Sequence, residues 1–152
     1  MNNTYSQVHI HVVFAVKYRE ALIEPSWRER LYQYIAAVIN NKGHKTLAIG
    51  GTKNNIHILF GLRPHQSISS LMLMVKRDSS VWIDKEHLTP KVFQWQSGFG
   101  AFTYSKSQLP GVIQYIVNQE QHHAKQTFRD EYIDILKKNK VDFDERYIFK
   151  DV

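Results

Sequence analysis

The chain has 152 residues, the size of one ordinary domain, and its 43% apolar and 22% charged fractions are those of a soluble globular protein rather than a disordered or fibrous one. Lys and Arg number 20 against 14 Asp and Glu, a formal charge of +6 that favours polyanionic partners without naming one. The absence of cysteine excludes a disulfide scaffold, a thiolate zinc site, an iron–sulfur cluster and a cysteine nucleophile, and fits a reducing cytoplasmic address. No apolar run approaches the roughly 18 residues of a membrane span. Met1-Asn2-Asn3-Thr4 carries no secretory signal, so neither a membrane nor an export route is expected.

In chain order, Gln7 to Val16 alternates and is rich in Val, Ile and Phe, which predicts a strand. Pro25 opens a helix whose Trp27, Leu31, Ile35 and Val38 recur at helical spacing until Gly43 stops it. Thr46 to Ile49 and Ile56 to Leu62 read as strands around the Gly50-Gly51 turn. Ser67 to Ile83 carries an apolar helical face, Val92 to Trp95 and Phe99 to Tyr104 read as strands, and a helix is expected from Ser107 through His123. Thr127 followed by Asp130 resembles a capping box that opens a last helix to about Lys138. Residues 1–125 form one predicted domain, and residues 126–152 a C-terminal helix and tail. The element order predicts an α+β fold, a ferredoxin-like antiparallel sheet with helices packed on one face.

Three places hold polar residues that a simple core does not require. Asn55 and His57 project from one face of a strand while Ile56 faces the other, so the pair could hold a metal or be an unremarkable surface edge. Tyr115 and Gln119 lie four apart on a helix, so a phenol and a neutral hard oxygen donor point the same way, unless both simply pack. His9 and His11 share a face of the first strand, and His122 lies seven residues beyond Tyr115. No zinc-peptidase, phosphate-loop or serine-hydrolase motif is present.

The stretch His11-Val12-Val13-Phe14 leading into Lys17-Tyr18-Arg19, the strand Ile56-His57-Ile58-Leu59-Phe60 and the helix Tyr115-Ile116-Val117-Asn118-Gln119 occur in an order that resembles the single-tyrosine HUH transposases of the insertion-sequence 200 and 605 families. The resemblance runs from about Tyr5 to about His123. It implies a ferredoxin-like fold merged into an intertwined homodimer, and single-stranded DNA hairpins at element ends as partners. It implies Tyr115 as the nucleophile that forms a 5′-phosphotyrosine link, Mg²⁺ or Mn²⁺ on His57 and Gln119, and no other small-molecule cofactor. It also implies that the tyrosine acts in the partner's site.

The first motif position, 55, is Asn where the family has His. Either Asn55 ligates through its carbonyl oxygen, or a ligand is lost and the chain binds hairpins but cleaves poorly. On this resemblance the His9-Ile10-His11 triplet is a decoy with a packing or DNA-contact role. Lys17, Arg19, Lys53, Arg63, Lys76, Arg77 and Lys106 are the candidate DNA contacts. An unrelated ferredoxin-like dimer binding a small molecule is the competing reading.

Overall fold

The computed structural model of the chain describes residues 3–123 and 125–148. Four strands form one sheet: β1 (His9–Ala15), β2 (Lys45–Gly51), β3 (Asn55–Gly61) and β4 (Gly100–Thr103), in the order β2-β3-β1-β4. Every neighbouring pair is antiparallel. With α1 (Pro25–Asn41) between β1 and β2 and α2 (Ile68–Lys85) between β3 and β4, this is the ferredoxin-like split arrangement expected from the sequence.

The alternation within β1 and β3 decides which side chain goes where. Ile10, Val12 and Phe14 of β1 and Ile56, Ile58 and Phe60 of β3 face α1 and α2, forming the main core with Leu31, Ile35, Leu71 and Val75. The helices begin where the sequence marks them. Pro25 occupies the first turn of α1, and the Ser67 hydroxyl accepts from Ser70 N–H at the start of α2.

The opposite face is not left to solvent. Three further helices, α3 (Leu109–Val117), α4 (Gln119–His123) and α5 (Phe128–Lys138), follow β4. On this face α3 packs Ile116 on Ala48 and Leu59, over the β2–β3 half of the sheet. Over the β1–β4 half, α5 packs Phe128, Tyr132, Ile135 and Leu136 on Val13, Ala15 and Phe102. Only α1 and α2 therefore share one face, and the C-terminal helices supply a second layer. Because both faces are covered, β1 and β3 read as nearly unbroken apolar runs in which a few polar residues stand out.

Three predicted elements differ. Gly50 and Gly51 are not a turn but the end of β2, paired with His57 and Ile56, and the chain turns at residues 52–54. Val92 to Trp95 is not a strand but meets β1's end through one bridge, Val16 with Trp95, while Phe93 and Trp95 cap the core edge-on to each other and Trp95 to Phe14. The helix predicted through His123 breaks at Asn118, whose φ of −101° and ψ of 24° leave the helical region. Asn competes well for non-helical conformations, and Glu120 just beyond the break pairs with Arg28 of α1. No helix among the described residues is long and apolar enough to cross a membrane.

Candidate active site

The site lies where β1 and β3 run beneath the seam between α3 and α5. Strand register puts His11, Asn55 and His57 on the face of those helices, and all three are buried. Tyr115 comes down from α3 and Glu131 from α5. Two glycines allow this approach. A Cβ on Gly50, opposite His57 in the sheet, would lie 2.0 Å from the Ile116 carbonyl oxygen, and one on Gly100 would lie 2.8 Å from the Tyr132 hydroxyl.

A continuous hydrogen-bonded chain links the polar groups. His11 Nε2 and His57 Nδ1 are 2.9 Å apart, His57 Nε2 and Glu131 Oε1 are 3.2 Å apart, and the Tyr115 hydroxyl donates to Glu131 Oε2. A carboxylate only accepts, so with Glu131 ionised His57 donates from Nε2 and its Nδ1 accepts from His11 Nε2–H. His11 Nδ1 is then left with a buried lone pair and no partner among the described residues. The Tyr115 ring stands edge-on to His57, with centroids 5.8 Å apart.

The Asn55 and Gln119 amides make bonds beside that chain. The Asn55 amide nitrogen is held by Thr52 Oγ1 and Asn54 Oδ1, and the Gln119 amide donates to the Tyr115 backbone carbonyl. Yet Asn55 Oδ1 and Gln119 Oε1, on residues at most 1% exposed, have no hydrogen-bond partner among the described residues. Two buried amide oxygens without donors are costly unless something else satisfies them, and a hard cation would do so. Each amide oxygen is of the kind a hard cation accepts, although no contact joins either of them to His57 and no cluster of three or more His, Cys, Asp or Glu among the described residues is arranged to hold a metal.

The electrostatics follow from burial. Tyr115 holds its proton more tightly than a free phenol, chiefly because it is desolvated and then because the Glu131 charge and hydrogen bond favour the neutral form, with Gln119 opposing. His11 is pushed down to about 3, first by burial and then by His57, against the opposing pull of Glu131. In the fold His11 thus stays neutral while the unfolded chain protonates it below about 6.5. Its contribution to stability is complete above that pH and is lost as pH falls toward 3, with a slope approaching about 1.4 kcal/mol per pH unit. Urea midpoints measured from pH 7 to 4 are expected to fall less steeply in His11→Asn than in the native chain.

A cleft of about 780 Å³ between α3 and α5 opens onto this chain of groups, lined by His11, Tyr104, Tyr115, Glu131, Asp134 and Lys138. Glu131 and Lys138 were not singled out in the sequence. The signal for Glu131 was there: it falls among Phe128, Tyr132 and Ile135 on the apolar face of α5, where a carboxylate is out of place. The His122 side chain lies outside the described residues.

The candidate DNA contacts scatter. Lys17, Lys76 and Arg77 line a separate groove of about 470 Å³ with Phe93, Trp95 and Gln96. Within it, Lys76 donates to the backbone carbonyls of Gln96 and Gly98, and burial lowers it to about 8, so it is a structural cation first. Arg19 is corrected outright. It is 6% exposed, on left-handed backbone at Tyr18 and Arg19, and so is not a surface cation, whereas Tyr18 is exposed. Lys53 lies 3.9 Å from Glu24 at the surface. Arg63 and Lys106 are exposed, the latter just before the Ser107 and Gln108 rim of the Tyr115 cleft. The tyrosine meets His57 of its own chain, whereas the resemblance implied the partner's site.

Comparison with known proteins follows the same lines. A sequence model of the family described as "Transposase IS200 like" matches residues 4–119. A crystal structure of a candidate transposase from Deinococcus radiodurans R1 is 19% identical, covering 78% of this chain and 95% of that one, with a TM-score of 0.62. A REP-associated tyrosine transposase bound to a REP hairpin is 13% identical, covering 100% of this chain and 92% of that one, with a TM-score of 0.59. No match was found among curated proteins.

Proposed function

The chain belongs to the IS200-like transposase family, and from that premise we propose that it cuts and rejoins single-stranded DNA at hairpin-marked element ends, with Tyr115 as nucleophile. One observation carries the reading: Tyr115 lines the cleft between α3 and α5, and its hydroxyl is bonded to a carboxylate that also holds His57. The hairpin in the similar solved transposase supports hairpin DNA as the ligand class.

The chemistry is an exchange of phosphoesters. The Tyr115 oxygen attacks the scissile phosphorus, a Tyr–O–P bond forms, and the bond from phosphorus to the 3′ oxygen breaks. The 5′ phosphate stays on the tyrosine, and the 3′ oxygen leaves as a hydroxyl after taking a proton. Because burial and Glu131 hold the phenol neutral, its proton must leave as the bond forms, and the Glu131 oxygen that already accepts it is the nearest acceptor. Mg²⁺ or Mn²⁺ would be held by His57 with the unpartnered oxygens of Asn55 and Gln119, and when bound it supplies Lewis-acid polarisation of the phosphate. Lys17, Arg77 and Lys106 would contact backbone phosphates, with Tyr18 available for base stacking. The test is a covalent adduct on a hairpin oligonucleotide that survives denaturing electrophoresis.

A second reading, a chain that binds hairpins but cuts poorly, is favoured by one fact: position 55 carries Asn where the resemblance calls for His. The two readings separate in Asn55→His. A replaced imidazole donor should raise adduct yield about tenfold if the Asn limits the site, and an unchanged yield with intact binding marks Asn55 as a working donor.

A further inference from the structure

We propose that Glu131 is itself a donor to the divalent cation and a positioning residue for the nucleophile, compensating for the imidazole absent at position 55; this rests on the transposase reading above. Glu131 is 2% exposed, set among Phe128, Tyr132 and Ile135, where an ionised carboxylate persists only if strongly compensated. Its observed partners in the site are the very groups the reaction needs, the His57 imidazole and the Tyr115 hydroxyl.

The spacing suits shared coordination. Glu131 Oε1 and His57 Nε2 are 3.2 Å apart. Donors on adjacent corners of an octahedral ion, with bonds of about 2.0–2.1 Å, stand roughly 3 Å from each other. A small hard cation can therefore be taken up by both atoms with little change in their separation. His57 must then carry its proton on Nδ1, and His11 Nε2, already 2.9 Å away, is placed to accept it.

Charge points the same way. Asn55, His57 and Gln119 are all neutral donors, so in the DNA-free chain a doubly charged ion held by those three alone would meet no charged ligand. A carboxylate both supplies that charge and matches the ion's hardness. Its second oxygen remains on the Tyr115 hydroxyl, so one residue would fix cation and nucleophile side by side. Residue 131 lies beyond the 4–119 span of the family match, so this donor comes from outside the matched part of the chain.

The experiment is Mn²⁺ binding by calorimetry on the full-length, DNA-free chain, beside Glu131→Gln and His57→Ala. Glu131→Gln keeps an oxygen for Tyr115 and is expected to weaken Mn²⁺ at least tenfold with unchanged circular dichroism. Native-like affinity in Glu131→Gln, with binding lost in His57→Ala, overturns the role of Glu131 and leaves the transposase reading standing. A native chain that forms the hairpin adduct with Mn²⁺ but shows no calorimetric site also overturns this proposal alone, whereas no adduct at all sinks the cleavage reading on which it rests. Should the variant not fold, ¹³C spectra of the native chain decide: sub-stoichiometric Mn²⁺ should broaden the Glu131 carboxyl carbon first, and a sharp Glu131 signal overturns the proposal.

Discussion

Tyr115→Phe abolishes the covalent protein–DNA adduct and leaves hairpin binding in place. The substitution removes one oxygen, the atom that would bond to phosphorus, and keeps the ring that packs edge-on to His57. The residual cost is structural. Glu131 loses a donor in a site where it is 2% exposed, and a buried acceptor deprived of a partner costs about 1–3 kcal/mol. Circular dichroism should therefore show a folded chain with a modestly lowered Tm, while a denaturing gel shows no retarded band. A band of undiminished intensity would assign the nucleophile elsewhere.

Gly50→Ala is expected to be the most damaging change outside the polar groups themselves. The added methyl would meet the Ile116 carbonyl oxygen at 2.0 Å and its carbon at 2.8 Å, and both belong to backbone that cannot rotate away. The end of α3 must lift, and Tyr115 and Gln119 lift with it. Overpacking of this kind costs about 1–3 kcal/mol or more, a Tm loss of roughly 3–10 °C at this chain length. Adduct formation should fall far more than stability, because a misplacement near 1 Å can cost about a hundredfold in rate. Gly111→Ala is the control. Outside its own helix no atom lies within 4 Å of its added Cβ, and Ala is favoured over Gly in a helix by up to about 0.5–1 kcal/mol, so Tm should hold or rise.

How much of this could be read beforehand depends on whether the information was local. The alternation Asn55-Ile56-His57 placed two polar groups on one face because strand geometry has a fixed period, and the structure keeps them there. Pro25 and Thr127 announced helix starts through their own backbone chemistry, and both helices begin where expected. What failed was non-local. The break at Asn118 coincides with the tie of Glu120 to Arg28, ninety-two residues away. The second helical layer exists because α3 and α5 find apolar area on a face that a one-sided sheet would have left wet. Arg19 reads as a surface cation from composition, yet in the fold it is buried beside a left-handed turn at Tyr18. Glu131 was visible as a carboxylate on an apolar stripe, but its partners come from two other elements. His11, dismissed as half of a decoy pair, earns its burial only once β1 and β3 lie side by side.

The contact between Tyr115 and His57 within one polypeptide carries a kinetic signature. On the proposed function, with Tyr115 acting beside the His57 of its own chain, strand scission is unimolecular once DNA is bound, so the single-turnover rate constant should not change on dilution across any subunit equilibrium. Mixing a chain that lacks the nucleophile with one that lacks the imidazole should likewise give no rescue, since neither could lend the other its missing half.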